Sequence, residues 1–582
     1  MPRKKSVTEV LDNVIIKRDG IWVNGKDGSQ KVCNFGLNIL FRIQSAYCEI
    51  SWLIAILPAE GDDLTISLSN KEFATPAAFH EALLRYGFVF RGEKSALNMM
   101  KEDLIPKAEQ AEAITSLGYH PGSGLFFFVN GAQTKAGAFI EPDEFGMIRH
   151  EKKAYFLPFA QDADNKNFKT FARFSYQKGE QNLDSWLKMI ADAHGKKSLI
   201  PACFRIAAYF RDLAFQHVHF FPLLYLRGVP GAGKSTCARS MTATDGRPQE
   251  DLNLKSPNTT KSIPRRLEQI SNSIVWFDEY ANELNEGVLG TLQAAYDGGG
   301  YQRAVNGFSN MTNSIEIHSA LILTSNYTPD TEFMRQRCVF ISFSDTKKSE
   351  QQRDAFNHLT GCEIGNLSSV GSDMLAFRRL FEIEWKKTHK ELYQTFIKAL
   401  PGVESRICNN LAVILTPARI LERKKIVDFQ AIFGLKENLI ETGKACCLAQ
   451  QEILSGKSDL AQFFEVLAYC AERRIIREGE DYRYSNDGKT LSIRMPRIYP
   501  IYLREFRALY NKIGANREDL TGEIRRHPSF LKEAPERFDV PGTGRNTEHG
   551  TAKKQAAYPA IKLNAAKFAE SFPLTLSKNA DE

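Results

Sequence analysis

Apolar residues recur at two different spacings along this chain, and the places where the spacing changes mark its parts. Val14 to Lys17 and Ile21 to Asn24 are β-prone runs separated by Asp19-Gly20, a hairpin signal. Trp52 to Leu57 is a further run, and Leu64 to Leu68 alternates as a half-buried strand does. Helical spacing follows over 76–86 and again over 97–117. Leu125 to Val129 is a short, wholly apolar strand stopped by Asn130-Gly131, and the polar stretch from Gln161 to Asn167 reads as a linker or exposed loop. Residues 1–160 are therefore expected to form a mixed α/β accessory domain.

From Leu183 to Phe215 the period becomes helical. Four short apolar runs then alternate with helical stretches: Leu223 to Leu226, Ser273 to Phe277, Ala320 to Leu323 and Cys338 to Phe343. That alternation predicts a parallel sheet with helices packed on it, an α/β core over 185–350. Residues 351–455 read as almost wholly helical. Leu460 to Arg474 is an amphipathic helix, followed by Tyr482-Arg483-Tyr484, a turn at Asn486-Asp487-Gly488, and Leu491 to Ile493. Helix followed by hairpin is the order of a winged-helix-like module, assigned to 456–582.

Composition changes this picture little. The 582 residues are 43% hydrophobic and 25% charged, ordinary values for a soluble protein of several domains. No run reaches the roughly 18 apolar residues that cross a bilayer, and Met1 to Lys5 has no apolar stretch behind it, so neither membrane insertion nor secretion is expected. Ten cysteines without a CxxC pair fit reduced thiols in a cytoplasmic protein. A net charge of +7 permits an anionic partner without identifying one.

The chemistry is concentrated in the core. Gly228-Val229-Pro230-Gly231-Ala232-Gly233-Lys234-Ser235-Thr236 has the spacing GxxxxGK[ST], with a strand before it and a helix after it. Glycines let the backbone close around phosphate with its N–H groups pointing inward. Lys234 brings a positive charge to the β/γ oxygens, the Ser235 hydroxyl can ligate Mg²⁺, and the helix N-terminus attracts anions. Ser273 to Glu279 has the Walker B form, an apolar strand ending in two carboxylates. Asp278 is the candidate Mg²⁺ ligand and Glu279 the candidate activator of the attacking water. ATP with Mg²⁺ is the cofactor set these motifs imply.

Ala320-Leu321-Ile322-Leu323-Thr324-Ser325-Asn326 is a third apolar strand with an amide at its tip. That amide resembles the sensor 1 residue of AAA+ ATPases, which helps hold the water near the γ-phosphate. Arg335 and Arg337 stand just before the strand that starts at Cys338. The resemblance implies that one of them, Arg337 in preference to Arg335, enters a neighbouring subunit's site as an arginine finger. Between Walker B and Asn326, a helix over 292–297 leads to a strand, an Asn306-Gly307 turn and a returning strand over 314–318. This order is similar to superfamily 3 viral helicases and MCM-like helicases of mobile elements, in which such a hairpin grips single-stranded nucleic acid in the pore of a ring. The lysine usual near the hairpin tip in superfamily 3 is absent; Asn306 and Asn310 occupy the region. Arg303, Asn306 and Phe308 become the candidate strand contacts.

In the C-terminal module, Arg473 and Arg483 lie among aromatics at the expected wing, but glutamates and an aspartate are interleaved with them, so a DNA contact and a solvated charged face both fit. The DxD spacing of Asp162 and Asp164 sits in polar sequence, and His120, His217 and His219 fit core or surface roles better than metal binding. The whole implies an ATP-driven translocase on single-stranded and forked DNA, acting as a homo-oligomeric ring, a hexamer, in replication of a mobile element. An AAA+ helicase loader or origin-remodelling ATPase without unwinding activity is the alternative.

Overall fold

The computed structural model describes residues 8–25, 28–46, 48–158, 171–228, 231–254, 259–281, 284–304, 312–326, 328–329, 331–343, 348–454, 459–510, 514–540, 545–547, 550–552 and 554–572. The chain forms two compact units, Met1–Tyr176 with Val305–Asn313, and Gln177–Ala304 with Ser314–Glu582.

In the first unit, alternation of apolar and polar residues builds two sheets that share a core. A four-stranded antiparallel meander runs through Thr8–Val10, Val14–Lys17, Gly20–Gly25 and Gly28–Cys33. A six-stranded mixed sheet has the order Met147–His150, Lys153–Phe156, Glu109–Ala113, Phe35–Gln44, Ile50–Pro58, Leu64–Ser69. Helices Pro76–Leu84 and Lys94–Leu104 bury Phe79, Leu83, Leu97 and Met100 against Phe35, Leu37, Ile54 and Ile56. Thr75 caps the first of these helices by accepting from the Ala78 N–H, with Pro76 at the position where a missing N–H costs nothing. The helix expected over 97–117 stops at Leu104. Pro106 falls in the one-turn helix Ile105–Lys107, and the chain then turns extended as strand Glu109–Ala113.

The second unit holds a four-stranded, all-parallel sheet. Its strands are β1 (Leu223–Gly228), β2 (Ile274–Phe277), β3 (Ala320–Ser325) and β4 (Cys338–Phe343). Their spatial order is β2-β3-β1-β4, so the third strand in sequence is inserted between the first two. All four are buried nearly end to end, as continuous Val/Ile/Leu/Phe runs require when both faces are covered. Helix α1 (Lys234–Thr242) packs against β1, β2 and β3. The helical stretch after β4 comprises Glu350–Gly365, Ser368–Ala376, Arg378–Ala399, Ser405–Arg423, Phe429–Ile432 and Leu439–Leu454.

The C-terminal part of this unit runs helix Asp459–Glu472, strands Tyr482–Tyr484 and Thr490–Ile493, helices Met495–Tyr510 and Arg517–Arg526, and long strands Phe530–Asp539 and Gln555–Asn564. The antiparallel sheet order is Tyr482–Tyr484, Thr490–Ile493, Gln555–Asn564, Phe530–Asp539. Phe463, Phe464, Leu467, Tyr502, Phe506, Ile561 and Phe568 form its core.

One buried polar cluster ties the helices to the sheet. Arg205 and Asp245 are both 0% exposed and pair at 2.8 Å. Arg205 also donates to Ser273 Oγ at 2.9 Å, and that hydroxyl donates to the other Asp245 oxygen at 2.5 Å. Ser273 is the residue before β2, so the cluster fixes where that strand begins. Arg205→Ala would remove a fully buried counter-charge from Asp245, a loss of about 3–5 kcal/mol. Arg149, whose side chain is 52% exposed beside Asp143 and Glu109, offers the control, worth about 0–1 kcal/mol. Thermal unfolding is expected to shift markedly downward for Arg205→Ala and hardly for Arg149→Ala; equal shifts would contradict the assignment.

Candidate active site

At the carboxyl end of β1 the backbone itself makes the first half of the site. Gly228, Gly231 and Gly233 have φ of 146°, 78° and 93°, a region that L side chains rarely adopt. A Cβ on Gly228 would stand 1.9 Å from the Phe343 carbonyl oxygen of the adjoining strand. Only glycine lets β1 and β4 stay paired while the chain turns off the sheet. Gly233 then caps α1, and the Thr236 hydroxyl donates to its carbonyl at 2.8 Å. Ala232 is buried. Val229 and Pro230 lie outside the described residues.

The strand order makes the second half. Because β3 lies between β1 and β2, its tip comes between the glycine-rich turn after β1 and the carboxylates that follow β2. Lys234 Nζ donates to Asn326 Oδ1 at 2.8 Å. Ser235 Oγ lies 3.3 and 3.4 Å from the two Asp278 carboxylate oxygens. The Thr324 hydroxyl donates to Asp278 Oδ1 and accepts from Trp276 Nε1 at 3.0 Å, so a buried two-step relay aims the carboxylate. A hydroxyl and a carboxylate at this separation are hard oxygen donors of the kind Mg²⁺ takes. Burial pushes the Lys234 ammonium down to about 8, against the pull of the Asp278 and Glu472 carboxylates.

Glu279 joins these contacts through its backbone, whose N–H donates to Asp278 Oδ1 at 2.9 Å, while its side chain turns elsewhere. Its φ is 55°, a left-handed conformation uncommon for a glutamate, and its Oε2 accepts from Asn253 Nδ2 at 2.6 Å. Asn253 reaches it because the extended segment at 252–254 pairs with the end of β2: Asp278 N donates to Leu252 O and Leu254 N to Asp278 O.

The two arginines lie at the far end of the sheet. Helix α2 (Glu332–Arg337) runs directly into β4. In the register of β1 with β4, Cys338 faces Leu223 and Phe343 faces Gly228. Five residues of strand, about 17 Å, therefore separate Arg337 from the level of Gly228. Its guanidinium pairs with Asp297 at 3.6 Å and lies over the Tyr296 ring. Arg335 is held through its carbonyl, which accepts from Gln450 Nε2 at 3.1 Å.

Arg303 falls in strand Gly300–Ala304, which pairs with Thr312–Glu316 as a two-stranded sheet. Its side chain, and all of Asn306 and Phe308, lie outside the described residues, as do Asp162 and Asp164. Arg483 forms an ion pair with Asp539 at 2.9 Å, and the Arg473 guanidinium covers the Tyr469 ring. Among the described residues no group of three or more His, Cys, Asp or Glu side chains is placed to hold a metal ion, and no helix is long and apolar enough to cross a membrane.

Five residues near the site escaped the sequence reading. Asn253 and Thr324 owe their roles to strand pairing; only Thr324, two residues before Asn326, had a signal within reach. Arg227, immediately before Gly228, donates to Ser342 Oγ at 2.9 Å and Thr328 Oγ1 at 2.5 Å. The carboxylate of Glu465, on helix Asp459–Glu472, approaches Arg227 to 3.9 Å and is pushed upward by its burial. Lys348 Nζ would lie 3.8 Å from a Cβ at Gly233 and covers the Phe356 ring.

No protein family and no curated protein matches this chain. Among solved structures it is similar to "SCCmec type IV Cch - active helicase", with a TM-score of 0.50 and 14% identity over 97% of this chain and 99% of that one. The apo C-terminal region of NrS-1 gives a TM-score of 0.26 at 13% identity, covering 73% of this chain and 88% of that chain. The JCV helicase gives 0.22 at 14%, covering 47% and 68%. The likeness to the Cch active helicase spans nearly all of both chains, and what it shows is a shared mixed α/β fold.

Proposed function

We propose that the protein is an ATP-hydrolysing motor of the AAA+ type, a helicase that works on DNA as a homo-oligomeric ring, and that it serves the replication of a mobile element. One observation carries this reading: Lys234, Ser235, Asp278 and Asn326 converge at the carboxyl end of one parallel sheet, with Arg337 at the other end. The fold shared with an active helicase and the hairpin strands ahead of β3 support it. The nucleic-acid role, the ring and its six subunits are parts of the proposal.

In this mechanism the glycine turns and α1 hold the phosphates, and Lys234 neutralises their charge. Ser235 and Asp278 would hold Mg²⁺, which supplies further positive charge at the transferring phosphoryl group. Glu279 Oε orients a water and takes its proton as that water attacks. The Asn253 hydrogen bond engages one oxygen of this carboxylate, Oε2, and so orients it. Asn326, bonded to Lys234 here, exchanges that partner for the phosphate or the water. Lys348 adds a second cation beside the loop. A finger 17 Å or so from its own loop cannot act there; Arg337 instead exchanges Asp297 for the phosphates of the next subunit.

Duplex contact by the C-terminal module is assigned to helix Arg517–Arg526 and the hairpin of Phe530–Asp539 with Gln555–Asn564. The order helix, strand, strand, helix, helix, strand, strand ends in the helix, helix, hairpin run of a winged helix, and Arg517, Arg525, Arg526, Lys532 and Arg537 are exposed there. Arg483, tied to Asp539, supports the hairpin base in this reading.

The trans arrangement has a direct test. Glu279→Gln and Arg337→Ala should each abolish most hydrolysis while ATP binding persists, with at least ~100-fold loss for the former. Mixing them should restore part of the activity, at interfaces where an intact Glu279 faces an intact Arg337, and recovery should rise with protein concentration. If mixed oligomers form and no ratio restores turnover, while Arg335→Ala does complement Glu279→Gln, the finger is Arg335.

A second test follows from Lys234. Bound polyphosphate favours the ammonium, so its pKa must rise on binding from the value near 8 in the free protein. Above that pH, binding takes up a proton; below it, the proton is already present. Affinity for nucleotide should therefore fall as pH rises through about 8. Calorimetry in buffers of different ionisation enthalpy should show the uptake, and its absence above that pH would remove Lys234 from phosphate binding.

A further inference from the structure

The amino-terminal meander has one face in the core and one in solvent, and the solvent face is unusual in content. Val14, Ile16, Ile21, Val23, Val32 and Cys33 point inward and are buried. The register Thr8↔Lys17, Val10↔Ile15, Ile15↔Trp22, Trp22↔Lys31 and Asn24↔Ser29 sets the opposite face. It carries a half-buried tryptophan at its centre, Ile15 and a 69%-exposed Val10 beside it, and exposed Lys17 and Lys31. None of these face positions is acidic. Glu9, on the other face, is occupied by Lys107 at 2.6 Å.

Both lysine ammonium groups rest over the Trp22 ring, each 5.0 Å from its centroid. Among the described residues neither ammonium has a carboxylate within ion-pair distance. Of the five tryptophans, Trp52, Trp186, Trp276 and Trp385 are 5% exposed or less, so Trp22 alone is not buried.

We propose that this face is a binding platform for single-stranded nucleic acid. A cation over an exposed aromatic ring is held weakly. A nucleobase offers the indole a larger π surface to stack on, in water and without regard to sequence. The same strand brings phosphates on either side of the stacked base, at the distance a lysine stem spans. Lys17 and Lys31 therefore give up the ring and gain phosphate partners, so base and backbone are bound together. Paired bases in a duplex present no free face to the ring, and a polyanion without bases engages the lysines only. This site is independent of the nucleotide site and of the motor reading.

The test uses the full chain without nucleotide and a single-stranded oligodeoxythymidine, with tryptophan emission as the readout. Saturable quenching is expected. Trp22→Phe should abolish the quenching and weaken binding roughly 5- to 10-fold. Lys17→Ala with Lys31→Ala should keep the fold and weaken binding, and should reduce the slope of log affinity against log salt by about 1.4, the value for two single-strand phosphate contacts. Contacts elsewhere in the chain leave residual affinity in both variants. No quenching with wild-type protein, or quenching that survives Trp22→Phe, overturns the proposal. So does equal quenching by a blunt duplex or by inorganic polyphosphate, and so does an unchanged salt slope in the double lysine variant.

Discussion

The contact on which the rest of the site depends is the hydrogen bond from Lys234 to Asn326. It joins the first residue of α1 to the tip of a strand 92 positions further on, and only one strand order permits it. If β3 lay at an edge beyond β2, Asn326 would be farther from Lys234 and this contact would be lost. With β3 between β1 and β2, the amide separates cation from carboxylate. The lysine keeps a neutral partner that it can give up to a phosphate, and Asp278 stays bound to Thr324 and near Ser235. Burial pushes that ammonium below the ordinary lysine range, because the charged form is poorly solvated there.

Around this contact, the groups to which the proposed mechanism gives roles are held on partners of their own. Glu279 sits in left-handed backbone and leans on Asn253. Arg337 rests on Asp297. Each carries the charge that the chemistry needs, and each is turned toward a partner other than phosphate. Glu465 extends the same logic outward. Through Arg227 and Thr328 it connects a helix of the C-terminal part to the residue before the phosphate loop and to the segment just after Asn326. A shift of that helix would be felt at both sides of the nucleotide site, because the buried carboxylate has few alternative partners.

How much of this could be read beforehand divides along a physical line. Contacts local in sequence were legible: the glycine-rich turn between a strand and a helix, carboxylates ending an apolar run, and an amide ending another. β2 and β4 came within a residue of the expected bounds, because continuous apolar runs stopped by charged residues leave little freedom. What escaped depends on non-local pairing. Asn253 is 26 residues from Glu279, and nothing around it signals that it will lie beside β2. The Arg205–Asp245 pair was hidden because two charged residues in helical sequence look like surface until the packing is known. The over-long helix after residue 97 shows the reverse error, in which apolar spacing was followed through Pro106 although the ring and its effect on the preceding residue forbid continuation. In the C-terminal part the first hairpin is the earlier of two, and the longer one, from 530 to 564, closes the sheet.

The account stands on the claim that a complete nucleotide site needs the two opposite ends of this sheet, brought together from neighbouring copies. Particle images of the protein with a non-hydrolysable ATP analogue and forked DNA would test this directly. They should show a closed ring with phosphate between Lys234 and Asn326, and the next subunit's Arg337 at hydrogen-bond distance from the terminal phosphate. A monomer with nucleotide bound and Arg337 still on its own Asp297, or nucleotide lodged away from Lys234, would contradict it.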